Sequence, residues 1–499
     1  MRCFLFIVDA LSHDVVKSLI ELGKVPHLKT LIESGGRLSP CLSIFPSITP
    51  AATCSIMTGT HPIRHGIEGA CWLDRGNQEL AYFGDDIQLA LQRGLFNYVI
   101  DFGDRLNFDR LKVPTLFQQL DAIGIDSLSV NSMWFAGPHQ HVRTTPLALK
   151  LGVGQLPDRV GGPKFMKLGS FVETLPDGVP EQPSPSIVNR YGFTDQISID
   201  CLLDVARHGQ FPPMTVGYFP ENDDIGHQEG LRDAADVALV RFDQFLGQFV
   251  EVLGGWDTVG TDNRILIVGD HSQIEFGDDG PNVLRLDEWL QSFDQASVAT
   301  GWTKPQQLFI CPNMRAAAIY LRDASDLEFR SRVIDRLLES TQIAIVAYEE
   351  SGTVEADPFV CVQDPFGRSF RFRRADPNSA NWSDDFGNHW YLDGDPLCLG
   401  LVGDEKGGFR ETDFANPLER LASAFVKGSN PIWISAQTDT EFACDGQSTH
   451  PGGSHGSLHR IDSTAALVTS GGIDWSVIPN ADRPRIIDVS SLCQAMFES

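Results

Sequence analysis

Long apolar runs are missing from the 499-residue chain. No stretch approaches the roughly 20 consecutive apolar residues of a membrane-spanning helix, which argues against a membrane protein. The opening segment, MRCFLFIVDA, is broken by Asp9 too early for the apolar core of a secretory signal. The chain begins inside its first strand, so the expectation is a soluble cytoplasmic protein. The ten cysteines are scattered and form no C-x-x-C pair. That excludes an evident disulfide framework and points to reduced thiols. Positive charge is scarce, with 39 Lys and Arg against 66 Asp and Glu and a net charge of -27. Such a balance disfavours an extended nucleic-acid surface. A small phosphorylated substrate stays compatible with it, because bound cations reverse the local field. Internal repeats and low-complexity tracts are absent, and nothing in the composition speaks to oligomeric state.

What is present is an ordinary globular composition, 42% hydrophobic and 21% charged, with length for about three domain-sized units. CFLFIVDA is short and continuously apolar, the pattern of a strand buried on both faces. SHDVVKSLIELG and VPHLKTLIESGG show helical spacing with glycine stops. RLSPCLSIF, IDSLSVN, MTVGYF and RILIVGDHS read as further strands, and DAADVALVRFDQFLGQFVEVLG as one long amphipathic helix. This alternation predicts an α/β fold with a mainly parallel central sheet and helices on both faces. Residues 275–440 look different, with a β-α-β pattern followed by a stretch rich in turns, aromatics and charge. They are expected to form an inserted cap whose start could add one core strand. Residues 1–274 and 441–499 then make the core.

In FPSITPAATCSIMTGTHPIRHGI, residues 45–67, Thr49-Pro50 predicts a helix start, with Thr49 at the N-cap and Pro50 at the first helical position. Gly59 can end that helix. An ordinary capped helix needs no more than this. The alternative is that the free N–H groups and positive dipole end favour an anion, with the Thr49 hydroxyl as a nucleophile facing a phosphate. Three predicted strands also run out into metal-capable residues: Asp9, then Asp223, Asp224 and His227, then Asp270 and His271. A single Asp after a strand is an ordinary turn. Three in one sheet suggest a site, since open α/β sheets gather functional residues at their carboxyl ends.

Asp9, FPSIT with Thr49, TG at 58–59, HGI at 65–67, DDIGH at 223–227, GDHS at 269–272 and GSHG at 453–456 occur in an order that resembles the alkaline phosphatase superfamily. The closer likeness is to its nucleotide pyrophosphatase/phosphodiesterase-like branch. The resemblance implies an alkaline-phosphatase-like core, a Thr49 nucleophile and two divalent metal ions, zinc first, with manganese, iron or magnesium as alternatives. It assigns Asp9, Asp270, His271 and Thr49 to one ion, and Asp223, His227 and His455 to the other. Three Asp and three His are also, independently, a donor set suited to two such cations. Asp224 is the weaker alternative to Asp223. His65, His450 and His459 are read as structural or supporting groups, and Cys54 as packing.

One departure stands out. Where the family's diesterases carry an Asn that contacts a phosphate oxygen, this chain has Ala70. Trp72 or a cap residue is the expected replacement donor. The implied activity is hydrolysis of a phosphoric ester, first a phosphodiester or nucleotide pyrophosphate. The alternative is a phosphomonoester or phosphonate, for which Arg64 and the RFRR run at 371–374 are candidate cations. A non-catalytic metal-binding protein is the remaining reading.

Overall fold

The computed structural model describes residues 1–75, 79–83, 100–146, 150, 156–180, 187–208, 211–277, 279–296, 302, 305–350, 358–405 and 408–498. An eight-stranded sheet is built from the first part of the chain together with one strand from near its end. Its strands are β1 (Arg2–Val8), β2 (Arg37–Leu42), β3 (Ser127–Val130), β4 (Phe165–Leu168), β5 (Val172–Thr174), β6 (Met214–Phe219), β7 (Asn263–Val268) and β8 (Thr464–Thr469). They lie in the order β2-β8-β7-β1-β6-β3-β4-β5. From β7 to β4 every pair is parallel. The pairs β2–β8, β8–β7 and β4–β5 are antiparallel. Pro40 lacks an N–H for a ladder, and it is tolerated because β2 is an edge strand.

β1 is central because both of its faces are apolar. Phe4, Phe6 and Val8 pack into one core, and Cys3, Leu5 and Ile7 into the other. Helices α1 (His13–Glu21), α2 (Pro26–Glu33), α4 (Asp195–Arg207) and α6 (Val240–Val252) bring side chains to the first face. There Phe6 meets Phe245 and Phe249 with ring centroids 5.5 and 5.4 Å apart, near edge-to-face. Each fully buried ring of this kind contributes roughly 1.5–3 kcal/mol. Helix α3 (Thr49–Thr58) lies on the second face and is buried from Pro50 to Thr58, as expected for a helix of small and apolar residues on every side. Gly59 ends it in the left-handed conformation (φ 67°). The long helix read from residue 233 onward is interrupted. A π-helical turn, Ala235–Leu239, precedes α6, and the wider turn keeps Ala235 and Leu239 in the same core as Phe242 and Phe245.

A second, nine-stranded sheet is built from residues 295–436. It shares a core with α3 through residues such as Phe309, Tyr320 and Trp433. Phe45, four residues before Thr49, meets Trp433 with ring centroids 5.6 Å apart. The segment leading into α3 is thereby clamped between the two sheets. Among the described residues, no helix is long and apolar enough to cross a membrane.

Candidate active site

The parallel strands deliver acids to one end of the sheet. Asp9 follows β1, and its N–H donates to Phe219 O at 3.0 Å, continuing the β1–β6 ladder by one residue. Ala10 then turns through a left-handed backbone (φ 53°), and its N–H donates to Asp270 Oδ1 at 3.2 Å. Asn222 Nδ2 fixes this turn by donating to the Asp9 and Ala10 carbonyls at 2.9 and 3.1 Å. Gly269, between β7 and Asp270, has to be glycine for steric reasons, because a Cβ there would meet Leu11 O at 2.6 Å. Helix α5 (Glu221–Glu229) follows β6 and holds Asp223 and His227 one turn apart on one face. His455 arrives from far along the chain. Gly453–Ser454 pairs with Ile274–Glu275, just beyond His271, and Ser47 N–H donates to Gly456 O at 3.3 Å. The segment before Thr49 and the glycine-rich segment of His455 are therefore hydrogen-bonded neighbours.

Two buried groups of potential metal ligands result: Asp9, Asp270 and His271, and Asp223, His227 and His455. Within the first, His271 Nε2 lies 3.4 Å from Asp9 Oδ1 and 3.3 Å from Asp270 Oδ2. Within the second, Asp223 Oδ2 is 3.2 Å from His227 Nε2, and its Oδ1 is 3.6 Å from His455 Nε2. Donors at about 2.0–2.2 Å around a tetrahedral zinc are separated by about 3.3–3.6 Å, so these spacings fit one ion per group. The groups adjoin, with the His271 and His455 rings stacked at 3.7 Å.

The surroundings leave the right atoms for a cation. Each imidazole turns Nδ1 to a backbone carbonyl: His227 to Gly453 at 2.8 Å, His455 to Ser47 at 2.8 Å and His271 to Ser272 at 3.2 Å. That fixes the tautomer and points the Nε2 lone pair inward. Asp9 Oδ1, Asp270 Oδ2 and His455 Nε2 are buried and have no hydrogen-bond partner among the described residues. Each such atom costs about 1–3 kcal/mol unless something satisfies it. Without a metal, burial and the neighbouring Asp270 and Asp223 charges push the Asp9 carboxyl well up. Burial also raises Asp270, partly offset by His271. His455 is pushed well down by burial and by His271. Carboxylates forced together in this way call for positive charge.

Thr49 is the first residue of α3, with Ile48 at the N-cap and Pro50 following. This corrects the reading of Thr49 as the cap itself. Its hydroxyl makes no capping bond to the helix and lies 3.0 Å from His271 Nε2 instead. A cavity of about 230 Å3 opens over it, walled by Asp9, Thr49, Ala70, Tyr218, Asp223 and His227 among others. Ala70 lines it, but Trp72 does not. Trp72 is buried and stacks beneath Phe83 at 5.5 Å. Arg64 is exposed and away from the cavity. Arg371 pairs with Asp393, and Arg373 stacks over Phe359; neither reaches the cavity. Asp224 is on the cavity wall and bonded to Arg190, outside both ligand groups.

His65 is fully buried and receives the Ile67 N–H at Nδ1 while its Nε2 meets Ser55 Oγ at 3.0 Å. Burial, with His61 nearby, lowers its pKa to about 3, which suits a neutral structural bridge. His450 is hydrogen-bonded to the buried Glu441 and lies against the His227 ring. His459 packs on Phe414, and Cys54 is buried.

Several contributors carried no singular signal in the sequence. Tyr218 OH donates to Asp9 Oδ2, and Gln273 Nε2 donates to Asp223 Oδ1. Gly226 leaves room for Gln273, whose Oε1 would meet a Cβ there at 2.5 Å. Asn313 accepts the Ala70 and Cys71 N–H groups at 2.7 and 3.0 Å. Tyr218 and Gln273 abut recognisable motifs, whereas Asn313 comes from the other sheet.

A family model described as type I phosphodiesterase/nucleotide pyrophosphatase matches residues 3–359. Among solved structures, murine ectonucleotide pyrophosphatase/phosphodiesterase 5 is similar, with 14% identity and a TM-score of 0.54 over 99% of this chain and 95% of that one. The human protein of the same name gives 12% identity and a TM-score of 0.56, over 99% and 94%. An inactive threonine-to-alanine form of the murine protein, in complex with AMP, gives 13% and 0.54 over the same shares. At these identities the likeness establishes a shared fold. No curated protein sequence matches the chain.

Proposed function

Because the chain belongs to the type I phosphodiesterase/nucleotide pyrophosphatase family, we propose that it hydrolyses phosphoric esters with Thr49 as nucleophile and two divalent cations, zinc first. The observation that carries this reading is the Thr49 hydroxyl beside His271, at the meeting of two three-residue ligand groups. Asp9, Asp270 and His271, with Thr49, would hold one ion; Asp223, His227 and His455 would hold the other. Bound there, two divalent ions would acidify the hydroxyl and offset charge developing on the attacking and leaving oxygens. Thr49, anchored at the start of a fully buried helix, supplies an oxygen that needs no reorientation before attack. The Thr49 Oγ1–phosphorus bond forms as the bond to the leaving oxygen breaks, the threonine proton passing to solvent. Water then cleaves the threonine phosphoester and restores the hydroxyl. The murine relative that holds AMP supports a small nucleotide-like substrate.

A phosphomonoester or phosphonate is the second reading. It is favoured by Ala70, whose N–H is taken by Asn313 and whose methyl offers no donor to a diester oxygen. Assays with a chromogenic phosphodiester and monoester, across zinc, manganese, iron and magnesium, test both. Turnover of the diester with zinc is expected. Turnover of the monoester alone selects the second reading, and turnover of neither removes the hydrolase assignment.

A further inference from the structure

Arg190 is the one lysine or arginine, among the described residues, in the wall of the cavity above Thr49. It stands there on costly backbone. Arg190 (φ 47°), Tyr191 (φ 52°) and Gly192 (φ 91°) run consecutively through the left-handed region, which residues bearing a Cβ avoid. Each carbonyl of the run is held. Phe193 N–H donates to Arg190 O at 3.2 Å, Ser170 N–H to Tyr191 O at 2.7 Å, and Asn131 Nδ2 to Gly192 O at 2.9 Å. A strained conformation tied down at three points, on a segment bordering a cavity, is a device for placing a side chain.

That side chain is also aimed. Arg190 Nη1 donates to Asp224 Oδ2. Asp224 follows Asp223 on α5, beside the group Asp223, His227 and His455. Thr49 instead touches His271 of the other group. If Thr49 attacks in line, the leaving oxygen departs toward the Asp223 group, and Arg190 lies on that side. A guanidinium has five N–H donors in a fixed fork, so the bond to Asp224 leaves others for an oxyanion. Phe83, Met133 and Met314 add apolar surface to the cavity wall, while the Arg190 side chain itself stays more than half exposed and free to meet an incoming anion.

Resting on the reading of Thr49 as nucleophile, we propose that Arg190 is a specificity-determining residue that binds an oxyanion on the leaving group. The preferred substrates are then phosphoric anhydrides, whose leaving group is itself a phosphate, over esters that release an alcohol or phenol. Asp224 holds the fork in register before the substrate arrives.

Thymidine 5′-triphosphate and the p-nitrophenyl ester of thymidine 5′-phosphate present the same phosphoryl group and release pyrophosphate and nitrophenolate respectively. With the zinc-loaded protein, Arg190→Ala is expected to lower the ratio of their kcat/KM values about tenfold to a hundredfold. Arg190→Lys keeps the charge without the fork and falls between. Calorimetric titration supplies a readout without turnover: affinity for inorganic pyrophosphate drops about tenfold or more in Arg190→Ala, and affinity for methyl phosphate drops less. Equal losses on both substrates and both ligands would mean a structural role and overturn the proposal, as would unchanged ratios. A loss of affinity for methyl phosphate as large as or larger than that for pyrophosphate would place the recognised charge on the transferred group and overturn the leaving-group assignment. If the parent protein cleaves neither nucleotide, the diester and pyrophosphate reading fails, and the pyrophosphate titration still decides the role of Arg190.

Discussion

The hydroxyl of Thr49 lies 3.0 Å from Nε2 of His271, a contact across 222 residues of sequence. It joins the start of a buried helix to the end of a central strand, and it is the shortest statement of how the site is assembled. Thr49→Ala should abolish turnover while the fold survives. The deletion removes one hydrogen bond worth about 0.5–1.5 kcal/mol and no helix cap, because the hydroxyl does not cap α3. Steady-state assays alongside thermal denaturation check this. Near-normal activity in Thr49→Ala would mean that water, and not threonine, attacks phosphorus.

Metal content is expected to saturate at about two divalent ions per chain, one for each ligand group. Asp270→Asn should lower occupancy of the first and His455→Ala of the second, each together with activity. Elemental analysis after zinc reconstitution measures this, and a parent stoichiometry of one or none would defeat the assignment. Chelation should also lower the melting temperature, because it returns Asp9, Asp270 and His455 to their unsatisfied state.

Gln273→Ala tests the support behind the second group. Gln273 does not line the cavity over Thr49, but its amide donates to Asp223 Oδ1. Losing an outer partner of this kind weakens metal binding by about tenfold to a hundredfold. Competition against a zinc-binding dye should show that drop while the first group stays loaded, and an unchanged affinity would show Asp223 to be held without Gln273.

Glu68 gives a pH signature. It is buried in the segment leading to Ala70 and accepts from Tyr320 OH at 3.0 Å and Ser429 Oγ at 2.6 Å. Burial raises its pKa from 4.5 to about 8, although both hydrogen bonds oppose the shift. The folded protein therefore holds a proton that the unfolded chain gives up. The resulting stabilisation is complete below pH 4.5 and is lost as pH rises toward about 8. Glu68→Gln keeps the acceptor and abolishes the titration. Denaturant midpoints at pH 5 and pH 8 should diverge less in the variant than in the parent, and equal divergence would remove Glu68 as the source.

Ala70→Asn should change diester hydrolysis little or lower it, since the added bulk enters a cavity already walled by Met314 and Phe83. A rise of about tenfold or more in kcat/KM would show that a donor worth roughly 1.5 kcal/mol had been missing there.

Sequence alone determined the α/β class, because β1, β6 and β7 are short apolar runs buried on both faces and only a helix-covered parallel sheet accommodates several of those. It also marked Asp9, Asp223, Asp270, His271 and Thr49, since each lies within a few residues of a strand end or helix start legible from local pattern, and His227 through the DDIGH spacing. Which of these residues group together followed in the sequence only from the family resemblance, not from any local pattern. His455 meets His271 only because a two-residue ladder joins Gly453–Ser454 to Ile274–Glu275, and no local periodicity encodes so short a long-range contact. Tertiary structure likewise decided which cations face the cavity. Arg64 and the arginines at 371–374 stand out as charge in the sequence, yet they lie elsewhere, stacked, paired or in solvent. Arg190 is inconspicuous in the sequence, but a left-handed turn held by Ser170, Phe193 and Asn131 carries it to the wall. Charge can be read residue by residue, whereas its direction depends on backbone geometry that distant hydrogen bonds impose.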